Sequence, residues 1–205
     1  MHSSVKAKLK KDPIMANIIE KVILPDNTSS GNVYQDLIRS ITGQQLSVKV
    51  ARVIFNRLIN LYDGLIPTPH QLYDTEHEIL RSVGYSNQKA NYIRNVASFF
   101  LERGQEYEEW SQYSDEDVMK ELIQIKGVGK WTVEMVLMFT LERPDIMPVD
   151  DLGIQMGMKH YYGLTEEKKA LKEKMLKIGE SWRPYRTYAC RWIWAAKDNN
   201  NVALS

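Results

Sequence analysis

The chain has 205 residues and a formal net charge of +1, with 43% hydrophobic and 26% charged residues. This composition is too hydrophobic for a disordered chain, and the length suffices for one or two compact units around a sizeable core. The single cysteine, Cys190, excludes an intramolecular disulfide and any iron–sulfur cluster or zinc site built from several cysteines. Because the charge is nearly balanced, a nucleic-acid partner would have to be bound by a local basic patch.

The sequence gives no sign of membrane insertion or export. It contains no stretch of about 18 uncharged apolar residues, the length that a membrane-spanning helix needs. The basic N-terminus lacks the unbroken apolar run of a secretory signal, and the four histidines show no spacing typical of metal ligands. We therefore expect a cytoplasmic protein that makes no membrane contact.

The chain repeats one pattern: a capping residue, an apolar stripe with a period of 3.6 residues, and a glycine. Thr75 and Glu78 are predicted to form a capping box, and Thr165 is predicted to cap a helix rich in lysine and glutamate. Pro184 is expected at the first position of the last helix. Strand-like alternation over six residues is absent from the sequence. The prediction is an all-α fold of nine or ten short helices, in which the first ten residues fray.

Residues 122–136 read as a helix, a Gly-Val-Gly hairpin and a second helix. Gly127 and Gly129 allow positive φ angles and a close approach to a bulky partner. The amides at the start of the second helix carry the positive end of its dipole, which favours a phosphate. Lys126 and Lys130 add positive charge beside them. A glycine-capped turn between two packed helices would explain the same residues.

This segment, LIQIKGVGKWTVEMV, resembles the helix-hairpin-helix of the HhH-GPD superfamily of DNA glycosylases, whose hairpin reads leucine-x-x-leucine-proline-glycine-valine-glycine. Lys126 stands where that family usually has proline, and its side chain can reach the DNA backbone instead. Hairpin carbonyls of the family commonly hold a monovalent cation that bridges to a phosphate. The resemblance implies a K⁺ or Na⁺ ion on the carbonyls of Gln124, Ile125 and Gly127, and no other cofactor.

Two aspartates follow the second helix, and either can simply cap the next helix. The family register places a large apolar residue three positions after the catalytic aspartate. Ile154 meets this condition for Asp151, whereas Gly153 would hold that position for Asp150. The resemblance therefore implies that Asp151 is catalytic and Asp150 structural or supporting. A helix N-terminus favours an ionised carboxylate, which suits stabilisation of positive charge on a sugar or orientation of a water molecule.

Position 131 separates two reaction types in this family. Members that also cleave the DNA strand carry a lysine there, and its amine forms a Schiff base with the sugar C1′. This chain has Trp131 instead, and Lys130 points about 100° away if the helix has begun. The resemblance implies a monofunctional enzyme that releases the base without lyase activity.

Residues 182–194, WRPYRTYACRWIW, resemble the terminal motif of the 3-methyladenine DNA glycosylase II branch of the superfamily. The resemblance places Trp194, Trp131 and Tyr185 in the base pocket. A purine methylated at N3 or N7 is cationic, and stacking it on an indole adds a cation–π attraction of about 0.5–2 kcal/mol. Core packing is the usual role of tryptophans at helical spacing, and we expect it for the other two tryptophans of this segment.

Two further loops resemble the elements with which the family fills the gap left by an extracted base. Residues 41–47, ITGQQLS, resemble the wedge loop, so Gln45 is the predicted wedge with Gln44 beside it. Residues 84–90, GYSNQKA, resemble the companion loop, in which Tyr85 would plug the opposite strand and Lys89 would contact phosphate. Ordinary loop glutamines and a tyrosine packed on its own helix are the structural alternatives.

Together these motifs span residues 34–197 and imply two helical lobes with the active-site cleft between them. Residues 36–144 would carry the wedge loop, plug loop and hairpin. Residues 1–35 and 145–205 would carry the aspartate and the terminal aromatics. The implied activity is hydrolysis of the N-glycosidic bond of flipped 3-methyladenine or 7-methylguanine by a compact, monomeric repair enzyme bound to double-stranded DNA, in the bacterial nucleoid or the eukaryotic nucleus. The alternatives are a non-catalytic DNA-binding module and a glycosylase for a neutral lesion such as uracil or oxidised guanine.

Overall fold

A computed structural model describes residues 3–27, 29–103 and 110–199. Over these residues the chain forms helices and no strand, which confirms the all-α class. The described helices outnumber the nine or ten predicted. Their bounds are α1 Ser3–Leu9, α2 Pro13–Lys21, α3 Val33–Gly43, α4 Val48–Asn60, α5 Pro69–Asp74, α6 His77–Ser82, α7 Asn87–Arg103, α8 Asp115–Leu122, α9 Lys130–Met135, α10 Leu152–Tyr162, α11 Lys168–Gly179 and α12 Arg186–Asn199. A π-helical turn, Val136–Thr140, continues α9, and a 3-10 turn, Glu180–Trp182, follows α11.

The chain divides into two compact units. One is continuous and covers Ser29–Leu141; the other is discontinuous and combines Met1–Thr28 with Glu142–Ser205. The continuous unit therefore holds α3 to α9, and the discontinuous unit joins the two N-terminal helices to α10, α11 and α12.

The core of the continuous unit lies between α3 and α7, which pack on each other while α4 packs on α3 and α5 packs on α7. Both central helices bury their apolar stripe completely, as the period of 3.6 residues requires. The buried side chains on these two faces include Leu37, Ile38, Ile41, Ile93, Val96 and Ala97.

The core of the discontinuous unit contains two almost fully buried tryptophans, Trp182 and Trp192, which confirms their predicted packing role. α10 and α12 approach closely at Gly157, where a Cβ atom would lie 2.4 Å from Cγ2 of Ile193. Asp12 joins the N-terminal segment to this core, because its Oδ2 accepts from the Trp182 indole at 3.0 Å. None of the described helices combines the length and the hydropathy needed to cross a membrane.

The predicted helix starts at Thr75 and Thr165 are wrong. Thr75 lies at the end of α5, where its hydroxyl donates to the Gln71 carbonyl at 2.7 Å, and the capping box belongs to Thr68 and Gln71. α6 starts after Glu76 without a side-chain cap. Nor does Thr165 cap α11, which begins three residues past it, at Lys168, with Glu167 as its N-cap.

The two ends of the discontinuous unit also differ from prediction. Pro184 lies in a turn closed by the Tyr185 N–H on the Trp182 carbonyl at 2.8 Å, so α12 begins at Arg186. Of the first ten residues, predicted to fray, Ser3–Leu9 form α1, because Val5 and Leu9 are buried against their neighbours, and residues 1 and 2 lie outside the described part of the chain.

Candidate active site

Asp151 caps the N-terminus of α10. Its Oδ1 atom accepts from the backbone N–H of Ile154 at 2.7 Å and from the indole N–H of Trp194 at 2.8 Å. The side chain is half-buried. The capping and catalytic interpretations therefore describe the same geometry, in which two neutral donors fix a carboxylate at the positive end of a helix.

Trp194 can reach Asp151 because residue 153 has no side chain. A Cβ atom on Gly153 would lie 2.8 Å from the Trp194 Nε1 and 3.1 Å from Asp151 Oδ1. Sequence reasoning used Gly153 only to choose between two aspartates and missed this role. The available signal was a glycine in the first turn of a helix, where its low helix propensity needs a packing reason.

A cluster of bonds holds the loop that leads to Asp151. The Arg186 guanidinium forms two hydrogen bonds to the Asp145 carboxylate, with Nε donating to Oδ1 at 2.7 Å and Nη2 to Oδ2 at 3.0 Å. The Thr187 hydroxyl donates to the Arg143 carbonyl at 2.6 Å and accepts from the Ile146 N–H at 3.0 Å. The first turn of α12 thus anchors the loop whose end presents the carboxylate.

The structure distinguishes the two neighbouring aspartates. Asp150 is exposed and forms an ion pair with Lys172 of α11. Asp151 holds the contacts to the helix amide and to Trp194. The geometry is therefore consistent with a supporting role for Asp150.

The hairpin glycines have different conformations. Gly127 has a φ of 107°, and a Cβ there would lie 2.2 Å from Cγ of Tyr92, so both backbone and packing require glycine. Gly129 has a φ of −96° and is the N-cap of α9, so the expectation of positive φ at both positions is wrong for Gly129. No described atom lies within 4 Å of a Cβ built on Gly129. The N-terminal end of α9 is thus open at this position.

The predicted cation ligands are backbone carbonyls of the same hairpin. The Ile125 carbonyl accepts from the Val128 N–H at 2.9 Å, and the Gly127 carbonyl accepts from the Gln44 side-chain amide at 3.3 Å. Each carbonyl oxygen has a second lone pair, so these hydrogen bonds leave both carbonyls able to accept one further contact. Among the described residues, histidine, cysteine and carboxylate side chains form no group of three or more that would hold a metal.

The predicted phosphate-binding lysines have unlike surroundings. Lys126 is exposed. Lys130 lies 3.6 Å from the Glu134 carboxylate, one turn further along the helix. Lys89 donates to the Thr42 carbonyl at 2.9 Å, and burial lowers its pKa. In this structure the Lys89 ammonium thus has one contact within the protein, at the C-terminal end of α3.

The predicted wedge and plug residues differ in exposure and in their contacts. Gln45 is exposed and has a φ of 58°, which presents its side chain from a sharply turned loop. Gln44 is turned to the hairpin instead. Tyr85 is only 2% exposed, and its hydroxyl lies 2.6 Å from that of Thr42. Burial raises the pKa of Tyr85 to about 12. A ring held in the core does not fit the predicted plug role, because it would have to leave the core to enter a duplex.

The remaining predicted pocket residues lie in different units. Trp131, on α9 of the continuous unit, is 41% exposed. Tyr185 lies just before α12 of the discontinuous unit, half-buried, with its ring centroid 6.2 Å from that of Tyr188.

Comparison with known proteins identifies the family. Residues 38–184 match the model of the HhH-GPD superfamily base excision DNA repair proteins. The chain is 39% identical over 163 residues to DNA-3-methyladenine glycosylase 1 of Schizosaccharomyces pombe, which covers 78% of this chain and 71% of the relative.

Solved structures agree with this match. A 3-methyladenine DNA glycosylase of Schizosaccharomyces pombe in complex with abasic DNA superposes with a TM-score of 0.85 at 31% identity, covering 99% of this chain and 100% of that one. A DNA-3-methyladenine glycosidase of Bacillus halodurans superposes with a TM-score of 0.82 at 36% identity, covering 98% and 92%. The chain belongs to the HhH-GPD superfamily of base excision DNA repair proteins.

Proposed function

We propose that this protein is a monofunctional DNA glycosylase that releases alkylated purines, such as 3-methyladenine and 7-methylguanine, from double-stranded DNA and leaves an abasic site. Family membership and the relatives named as 3-methyladenine glycosylases support the reaction class. The observation that carries the proposal is the Asp151 carboxylate, fixed by the Ile154 amide and the Trp194 indole. In this proposal the protein acts as a monomer, in the compartment that holds the chromosome.

In the proposed reaction the bond between the sugar C1′ and the purine N9 breaks, and its electron pair leaves with the base. Because a purine alkylated at N3 or N7 is cationic, it departs as a neutral molecule without prior protonation. Positive charge then develops on the sugar, where a fixed carboxylate stabilises it. The Ile154 amide and the Trp194 indole are uncharged donors, so these two bonds orient the carboxylate without neutralising it. Water adds to C1′ and loses a proton.

Preference for alkylated purines would come from aromatic faces. Trp194 lies on α12 and contacts Asp151, Tyr185 lies just before α12, and Trp131 offers an exposed indole on α9. An electron-rich indole attracts a cationic base by about 0.5–2 kcal/mol more than a neutral one. Neutral lesions such as uracil should therefore be released more slowly, and a panel of lesions in one duplex sequence measures this difference.

DNA binding would use the hairpin. The open space beside Gly129 at the start of α9 and the side chains of Lys126 and Lys130 suit a backbone phosphate. The carbonyls of Gln124, Ile125 and Gly127 would hold a K⁺ or Na⁺ ion, which would add positive charge beside the phosphate. Absence of lyase activity follows from Trp131 at the nucleophile position. Schiff-base formation needs an amine at that position, and the neighbouring Lys130 lies one residue earlier, with its ammonium 3.6 Å from the Glu134 carboxylate.

The test is the substitution Asp151→Asn, with Asp150→Asn as its matched control. Asparagine caps a helix as well as aspartate does, and its amide oxygen can keep both hydrogen bonds, so the change removes mainly the charge. We expect release of 3-methyladenine from methylated DNA to fall by about 10²- to 10³-fold, while affinity for abasic DNA stays close to that of the wild type. Asp150→Asn removes the exposed ion pair with Lys172 and should retain activity.

Equal base release by wild type and Asp151→Asn would refute the catalytic assignment. Tight binding to abasic DNA by a wild-type protein that releases no base from any lesion would favour a DNA-binding module instead.

A further inference from the structure

Residues of other elements contact the loop that carries the predicted wedge and fix its conformation. The turn Gly43–Leu46 begins at the last residue of α3 and leads into α4, and it is closed by the Leu46 N–H on the Gly43 carbonyl at 3.1 Å. Gln45 within this turn has a φ of 58°, a left-handed conformation that is strained for a residue other than glycine. Such a conformation persists only where neighbouring contacts fix the loop.

The first contact joins the loop to the segment between α6 and α7. Thr42, the residue before the loop, donates its hydroxyl proton to the Ile38 carbonyl at 2.7 Å. Its oxygen lies 2.6 Å from the Tyr85 hydroxyl, and both residues are at most 2% exposed. Because the single hydroxyl proton of Thr42 is directed to Ile38, the Tyr85 hydroxyl is the donor of this buried bond.

The second contact comes from the first turn of α7. The Lys89 ammonium donates to the Thr42 carbonyl at 2.9 Å. This carbonyl is one of the last four of α3, which have no partner within the helix. A cation at a helix C-terminus also interacts favourably with the helix dipole. Lys89 is half-buried. Its charge lies at the end of α3, next to the wedge loop.

The third contact joins the loop to the hairpin. The Gln44 side-chain amide donates to the Gly127 carbonyl at 3.3 Å. That carbonyl belongs to the turn that packs on Tyr92 and leads into α9. The wedge residue is therefore flanked by a neighbour whose side chain is tied to the phosphate-binding element.

We propose that Thr42, Gln44, Tyr85 and Lys89 form a positioning network, which sets the wedge Gln45 relative to the hairpin, and that Lys89 and Tyr85 act through this network rather than by touching DNA. The inference rests on the proposed function, because the wedge has a role only in a protein that extracts a base. All contacts of the network lie within the continuous unit.

The test compares Lys89→Met with Lys126→Met on a duplex that carries an abasic-site analogue beside a 2-aminopurine. The fluorescence of 2-aminopurine rises when a wedge unstacks it. We expect Lys89→Met to lose most of this rise and to keep the wild-type dependence of affinity on salt. Lys126→Met, a loss of an exposed cation, should keep the fluorescence rise and reduce the slope of log K against log salt by about 0.9.

Activity gives a second readout. Misplacement of the wedge should slow single-turnover base release by about 10- to 100-fold in Lys89→Met without a matching loss of affinity. Tyr85→Phe removes one hydroxyl and keeps the packed ring, so it should show the same pattern to a smaller degree. Lys89→Arg retains a donor and should restore part of the fluorescence rise. Thermal unfolding of each variant checks that the fold is intact.

Two results would overturn the inference. A smaller salt slope in Lys89→Met together with a normal fluorescence rise would make Lys89 a phosphate contact. Unchanged fluorescence and unchanged base release in both Lys89→Met and Tyr85→Phe would reduce the network to packing. The fluorescence assay needs no turnover, so a wild-type protein that inserts its wedge but releases no alkylated base would refute the proposed function and leave this inference standing.

Discussion

At the scale of single residues, the site depends on a glycine at position 153. Gly153 lies in the first turn of α10, and the Trp194 indole occupies the space that a β-carbon would fill. The indole N–H can then reach Asp151. Alanine is favoured over glycine within a helix by about 1 kcal/mol, so this glycine lowers helix stability and allows the hydrogen bond to the carboxylate.

Gly153→Ala should therefore separate stability from activity. The new methyl group would meet Trp194 at 2.8 Å and displace the indole, because a tryptophan ring cannot yield by a small rotation. We expect base release to fall by at least about 10-fold, while the melting temperature changes little because the gain in helix propensity offsets local strain.

Trp194→Phe is the companion variant, since it removes the indole N–H and keeps an aromatic ring. If both changes act through the same hydrogen bond, the double variant should be no slower than the slower single variant. Independent, multiplicative losses in the double variant would contradict this explanation.

At the scale of elements, the hairpin assigns different tasks to its two glycines. Gly127 makes the turn possible, because its φ of 107° and its contact with Tyr92 exclude a β-carbon. Gly129 lies in an ordinary backbone region with open space beside it. Its proposed role concerns the ligand, because a bare backbone allows a phosphate to approach the amides of α9.

The pair Gly127→Ala and Gly129→Ala tests this division. Gly127→Ala should destabilise the protein by about 2–4 kcal/mol, because the new residue is strained and also clashes with Tyr92. Gly129→Ala should keep the wild-type free energy of unfolding within about 1 kcal/mol and weaken binding to abasic DNA. Urea unfolding and a DNA titration on both variants measure the two effects. Full DNA affinity in a stable Gly129→Ala variant would contradict the proposed phosphate contact at the hairpin.

Local sequence rules succeeded where the relevant bonds are local. Asp151 caps its own helix through an amide three residues away, and Gly163 ends that helix in the left-handed region. The roles of Tyr85 and Lys89 could not be predicted in this way. Their partner Thr42 lies 43 and 47 residues away along the chain, and no local pattern marks such a distance.

At the scale of the whole molecule, the discontinuous unit depends on contacts between the two ends of the chain. Asp12 caps α2 through Oδ1, which accepts from Ile14 at 2.9 Å and Met15 at 3.2 Å. Its Oδ2 accepts from the Tyr162 hydroxyl at 2.8 Å and the Trp182 indole at 3.0 Å, residues 150 and 170 positions away. Burial and the nearby Asp12 charge both raise the pKa of Tyr162. One carboxylate thus joins the N-terminal helices to the C-terminal ones.

Asp12→Ala should destabilise the protein by about 3–5 kcal/mol, since it removes a helix cap and leaves the buried Trp182 indole and the half-buried Tyr162 hydroxyl without their acceptor. Asp12→Asn should lose less, because its amide oxygen still caps α2. Its amide N–H groups, however, would face an indole that can only donate. Glu20→Ala is the control, because it breaks an exposed ion pair with Lys10 and should cost less than about 1 kcal/mol. Hydrogen exchange should show reduced protection of α2, α10 and α12 in Asp12→Ala, while α3 and α7 keep wild-type protection. Equal loss of protection in α3 and α7 would show that the carboxylate stabilises more than its own unit.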